Sequence, residues 1–158
     1  IYDPINNGVY RAGFADSQEA YNEAVGEVFD ALDHYESVLD EQRFLAGDRL
    51  TEADIAMFVT LVRFDAVYHT HFKCNRQAIH EYPNLWNYTK GIYQLPGVAE
   101  TVNMDHIKRH YYMSHDHLNP KRLVATGPDL DFAEPHDRDR LSAELPPALT
   151  DQRALADD

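Results

Sequence analysis

The stretch that most constrains this chain is residues 51–68, TEADIAMFVTLVRFDAVY. From Ile55 to Val67 it is apolar on nearly every side, interrupted by Arg63 and Asp65. A helix with that pattern keeps no solvent face and belongs in the middle of a bundle, with little exposure. Thr51 is a good N-cap, and Asp54, three residues on, can reach back to the amide at the cap. Gly47 and Asp48 supply the turn before it. The stretch is too short and too broken by its two charges to cross a membrane.

The helices needed to cover it are legible on both sides. Between residues 16 and 39, Tyr21, Val25, Val28, Leu32, Tyr35 and Leu39 recur every three or four positions, as a single buried stripe requires. Asp16 or Ser17 can cap that helix, and Glu19 suits the positive end of its dipole. Gly26 within it is either a weak point or a place where another backbone comes close. Pro83 opens a helix over residues 84–94, which LPGV at 95–98 then breaks. NMDHIKRHYYMSH, residues 103–115, reads as a last helix. INNGVYRAGF, residues 5–14, is poor in helix formers and reads as a non-helical break before the long helix. No strand pattern or internal repeat is present, so the expected fold class is all-α, a helical bundle around the 51–68 helix. The expected organisation is a helical domain over residues 1–135, then an acidic, Pro-containing, mobile tail over 136–158.

Charge narrows the function. The chain has 14 basic and 27 acidic residues, a net charge of −13, and such a surface repels phosphate backbones. Nucleic acid is therefore not an expected partner, and neither is a membrane. The acidic excess is spread over the whole chain and suits a high-salt cytoplasm, where salt screens self-repulsion. The single cysteine, Cys74, excludes an internal disulfide framework and fits a reducing cytosol, so a cytoplasmic location is expected. The chain opens at Ile1 rather than Met, and we expect it to be a piece of a longer protein.

Several residues carry chemistry. Arg63 and Asp65 interrupt an apolar helix, so each is either paired with a partner or lines a cavity. Tyr10, flanked by glycines, is oddly placed for a mere core residue, the alternative being a loop tyrosine that packs on the bundle. Tyr111 and Tyr112 are adjacent on a helix and point about 100° apart, so they cannot share one pocket equally. Asn6 and Asn7 before Gly8 are turn and capping residues, with a polar ligand contact as the alternative. Cys74 has only Lys73 beside it as a cation and reads as a small buried side chain rather than a nucleophile. Among the nine histidines, His106 and His110 have the i, i+4 spacing of some zinc sites. No Glu follows in the H-E-x-x-H manner and no second thiolate exists, so no metal is expected.

FLAGDRLTEADIAMF resembles the core of the helical C-terminal domain of glutathione transferases. INNGVYRAGFA, TLVRFDAVYHTHFKCN, YPNLWNY and YQLPGVAETVNMDHIKRHYY, in that order and spacing, resemble the glutathionyl-hydroquinone reductases, the Xi class of that superfamily. The resemblance covers residues 1 to about 135. It implies an aromatic acceptor site for a hydroquinone-type substrate, with the substrate role carried onto Tyr10 and Tyr111 and packing left to Tyr112. Arg63, Asp65 and Asn7 are the further candidates. It also implies a thioredoxin-like N-terminal domain with a Cys-Pro-Trp-Ala type motif, glutathione as co-substrate, and a homodimer. Nothing in this chain corresponds to that motif, so no catalytic residue and no bound cofactor is expected in it. The alternative is a stand-alone transferase-like interaction module without catalysis.

Overall fold

In the computed structural model, which describes residues 1–150, the described residues form seven α-helices. They are α1 (Gly8–Gly13), α2 (Gln18–Glu41), α3 (Glu52–Arg63), α4 (His69–His71), α5 (Pro83–Tyr93), α6 (Met104–Ser114) and α7 (Pro147–Thr150). Wider π turns span Tyr2–Asn6 and Phe64–Tyr68. Among the described residues there is no strand, only two isolated bridges. The fold is all-α, and no described helix is long and apolar enough to cross a membrane.

Helix α2 starts at Ser17, whose hydroxyl accepts the Ala20 N–H at 3.1 Å. It buries Val25, Val28, Phe29, Leu32 and Leu39, and leaves Tyr21 and Tyr35 at the edge of the core. A Cβ at Gly26 would meet nothing, so this glycine serves no close approach. α1 is helical, contrary to the break expected from its composition. Its glycines are there for packing. A Cβ on Gly8 would stand 2.8 Å from the Val28 side chain, and one on Gly13 2.3 Å from the Phe72 ring. Gly8 and Gly13 stand at the two ends of α1, where glycine weakens a helix less than in its interior, and each permits an approach no larger residue allows.

The start of α3 is fixed by a carboxylate with no solvent exposure. Asp54 accepts the Thr51 N–H at 2.8 Å, the Thr51 hydroxyl at 3.1 Å, the Leu45 N–H at 2.8 Å and the Tyr88 hydroxyl at 3.0 Å. One side chain thus begins α3, closes the loop before it and anchors α5. α5 begins on Pro83, and its first amides are capped from α2: Glu36 accepts the Asn84 and Leu85 N–H groups, each at 2.8 Å. A carboxylate there also meets the positive end of the helix dipole.

Beyond residue 135 the described chain lies against the bundle. Arg138 is 1% exposed and donates to the Leu39 carbonyl at 2.6 Å, closing the end of α2. Gly91 makes room for it, since a Cβ there would stand 3.0 Å from its Cγ. Just before it, Lys90 donates to the Pro135 carbonyl and Gln94 to those of Phe132 and Glu134. Further on, Arg49 pairs with Glu144 at 2.9 Å. Composition sets this segment apart as a tail, but arginine hydrogen bonds to main-chain carbonyls hold its described part. The remainder of the expected tail, 151–158, lies outside the described residues.

Replacing Asp54 by Ala strips four donors of one acceptor, and each stranded buried group costs about 1–3 kcal/mol. Urea unfolding should show Asp54→Ala destabilised by about 3 kcal/mol or more. Asp105→Ala, which loses an exposed pair with Arg109 and an acidic charge in the first turn of α6, should stay within about 1 kcal/mol of the parent.

Candidate functional site

Three tyrosine hydroxyls meet at one point. Tyr10 comes from α1, Tyr68 from the end of the π turn after α3, and Tyr111 from α6. The Tyr111 hydroxyl bonds to that of Tyr10 at 2.5 Å and to that of Tyr68 at 2.9 Å. Phe72 backs the group, its ring centroid 5.3 Å from that of Tyr10 and 5.5 Å from that of Tyr68. Tyr68 and Tyr111 are buried and Tyr10 is half-buried.

The cluster forms one end of an open cavity of about 430 Å³. Its long wall is α3, through Ala56, Val59, Thr60 and Arg63, the i, i+3, i+4, i+7 set that shares one helix face. This explains why α3 looks apolar all round in sequence. Met57 and Leu61 enter the core, while Val59 is 42% and Ile55 44% exposed. The expectation of a helix with little exposure is therefore corrected: one of its apolar faces is open. Asn6 completes the cavity from the N-terminal turn, donating to the Ala56 carbonyl at 2.7 Å and the Thr60 hydroxyl at 2.6 Å.

The π turn places Tyr68. Residues five apart on an α-helix point about 140° away from one another, so Arg63 and Tyr68 would face different sides. In the π turn the His69 amide bonds back to the Phe64 carbonyl, one residue further than in an α-helix. Arg63 and Tyr68 line the same cavity. Such turns inside helices are frequent at functional sites.

Burial, reinforced by the bond to Tyr10, pushes the Tyr111 phenol up to about 12. Burial and the bond to Tyr111 raise Tyr68 as well. Both phenols are therefore neutral at pH 7. Three hydroxyls own three protons and their two mutual bonds use two, which leaves one O–H to give outward and lone pairs to accept. The cluster can thus hold a ligand hydroxyl as donor or acceptor without gaining or losing charge.

The candidates from sequence separate in space. Tyr10, Tyr111 and Arg63 line the cavity. Asn7 does not: it precedes α1 as its N-cap residue, and its neighbour Asn6 takes the cavity position. Asp65 turns the other way. Buried, it accepts the Ile79 N–H at 2.6 Å, the His80 N–H at 3.1 Å and His80 Nδ1 at 2.8 Å, capping the short turn Ile79–Glu81. Tyr112 packs on His71 and donates to the Ala66 carbonyl. Tyr68 and Thr60 are polar cavity residues that sequence reasoning missed, while Asn6 takes the cavity position that the alternative reading of a polar contact allowed. Tyr68 ends an apolar run, where nothing distinguishes it from a core tyrosine.

Cys74 is fully buried, and burial pushes its thiol up to about 12, so it is protonated and shielded at neutral pH. Behind the tyrosines, His71 Nε2 and His115 Nδ1 share a hydrogen bond at 3.1 Å with their rings stacked. Burial and the neighbouring His115 lower His71 to about 4. Among the described residues no three His, Cys, Asp or Glu side chains gather in a metal-holding arrangement.

Residues 18–91 match the family model described as Glutathione S-transferase, C-terminal domain. The glutathionyl-hydroquinone reductase YqjG of Escherichia coli is 56% identical over 139 residues, 88% of this chain and 42% of that protein. The glutathionyl-hydroquinone reductase PcpF of Sphingobium chlorophenolicum is 53% identical over 128 residues, 81% of this chain and 41% of that protein. Among solved structures, the Xi class GST from Natrialba magadii superposes with a TM-score of 0.90 at 67% identity, covering 91% of this chain and 45% of that one. The chain thus spans about two fifths of the length of the curated relatives it matches.

Two titrations probe the electrostatics. Ultraviolet titration of the tyrosines should show Tyr111 and Tyr68 un-ionised at pH 10, with Tyr111→Phe abolishing the step near pH 12. His71 is lowered on folding from an ordinary value of 6.5 to about 4, so protons favour the unfolded chain in that window. Stability should therefore be full above pH 6.5 and fall as pH drops towards 4, and His71→Gln should flatten that slope.

Proposed function

Since the chain belongs to the C-terminal domain family of the glutathione S-transferases, we propose that its tyrosine-walled cavity is the aromatic acceptor site of a glutathione-dependent reductase acting on glutathionyl-hydroquinones. The observation that carries this reading is the convergence of the Tyr10, Tyr68 and Tyr111 hydroxyls at the end of an open cavity. A hydroquinone presents two hydroxyls and a flat apolar ring. Neutral phenols that donate and accept match the first, and the ring of Tyr10 with the apolar Ala56 and Val59 side chains of the wall matches the second.

In the proposed reaction a thiolate attacks the glutathionyl sulfur. An S–S bond forms, the aryl carbon–sulfur bond breaks, and its electron pair takes up a proton on the ring carbon to release the hydroquinone. A second glutathione then attacks the mixed disulfide, frees the protein thiol and leaves as oxidised glutathione. This chain's part is to hold the diol. The Tyr111 hydroxyl, fixed from two sides, sets where the substrate oxygen sits, and its proton stays in place through neutral pH. The attacking thiolate is not Cys74, which is buried and protonated.

The thiolate and the glutathione site belong, in this proposal, to a thioredoxin-like domain that closes the cavity. The exposed Tyr2, Ile55 and Val59 beside the cavity offer apolar surface to such a cover. Homodimer formation is part of the same proposal.

Two results are expected from residues 1–158 alone. Calorimetry should find hydroquinone binding on the order of 1 mM, since few atoms contribute, weakened about tenfold in Tyr111→Phe. Glutathione-dependent release of hydroquinone from a glutathionyl conjugate should be undetectable. Turnover by this chain would overturn the division of labour, and wild-type affinity in Tyr111→Phe would overturn the site.

A further inference from the structure

Arg63 is the one feature of the cavity that a neutral hydroquinone does not explain. Arg63 lines the cavity together with Tyr10, Tyr68 and Tyr111. Nη1 donates to the Val59 carbonyl, one turn back, at 2.6 Å, which fixes the side chain along the wall. Among the described residues it has no carboxylate partner. That is unusual in a chain with 27 acidic residues, where Arg11, Arg109 and Arg122 are paired with Glu27, Asp105 and Asp116. No Asp or Glu lines the cavity. The Asp nearest in sequence, Asp65, is turned away and occupied by two backbone amides and His80.

Resting on the acceptor-site reading above, we propose that Arg63 selects aromatic diols that carry an anionic ring substituent, a carboxylate foremost. The guanidinium is planar, permanently charged and built to engage a carboxylate through two N–H groups. The tyrosine hydroxyls meanwhile hold the ring hydroxyls. One wall of the cavity thus reads the diol and the other reads the charge. On a protein of net charge −13 the surrounding field disfavours anions, so a cation on the cavity wall with no carboxylate partner among the described residues decides whether an acidic aromatic is held there. The charge of Arg63 is felt at the cluster, where it draws the Tyr111 phenol downward against the larger effect of burial.

Three probes differing in one group test this by calorimetry on the full chain: 2,5-dihydroxybenzoate, its methyl ester and hydroquinone. The acid should bind at least tenfold tighter than the ester, which has the same shape without the charge. The preference should shrink as salt is raised from 0.1 to 1 M, because screening shortens from about 10 to about 3 Å. In Arg63→Gln the acid-to-ester ratio should fall to about one, and in Arg63→Lys, which keeps the charge, most of it should return. If the ester and hydroquinone bind but the acid binds no tighter, the anion proposal is overturned and the tyrosine site stands. If Arg63→Gln keeps the preference, the assignment to Arg63 is overturned. If none of the three binds, the acceptor-site reading itself fails and this inference with it.

Discussion

The architecture depends on one buried carboxylate. Asp54 is closed off from solvent, and a charge in that position survives only if its lone pairs are filled. Four donors from three parts of the chain fill them: Leu45 in the loop, Thr51 with two groups at the helix start, and Tyr88 on α5. Two of the donors are local and Tyr88 is 34 residues away, and together they set where α3 begins and how it is rotated. That rotation decides which of its faces meets the core and which lines the cavity. The site is therefore downstream of a cap about a turn and a half from its nearest residue.

The second constraint is closeness. Tyr10 reaches Tyr111 because α1 lies hard against its neighbours, with Gly8 on Val28 and Gly13 on Phe72. The π turn at Phe64–Tyr68 supplies the third hydroxyl and at the same time sends Asp65 to the opposite side. A short irregularity thus serves two purposes, aiming one side chain at the cavity and one at the cap of the next turn. The shared Tyr111 hydroxyl couples α1, the π turn and α6, three segments distant in sequence.

Much of this was legible in the residues. The apolar run after Thr51-x-x-Asp54 located α3, the stripe from Tyr21 to Leu39 located α2, and Pro83 and LPGV bracketed α5. The family resemblance pointed to Tyr10 and Tyr111. What was not legible follows from tertiary context. α1 is a helix although its glycines argue against one, because the gain lies in packing against Val28 and Phe72. Tyr68 reads as core until the π turn redirects it. Arg138 sits in a stretch rich in Pro, Asp and Arg, and its burial depends on the Leu39 carbonyl, 99 residues earlier. Arg63 and Asp65, two residues apart, met the two alternatives separately: one lines the cavity and the other is paired.

The central claim is that the three tyrosine hydroxyls form the place where an aromatic diol is held. Tyrosine labelled with ¹³C at Cζ gives one signal for each of the ten tyrosines, and single Tyr→Phe variants assign them. On adding hydroquinone, the signals of Tyr10, Tyr68 and Tyr111 should move together with a single saturation curve. Tyr21, Tyr82 and Tyr93, which lie outside the cavity, should stay still. Saturable shifts confined to other tyrosines, or no shift at the three, would contradict the account.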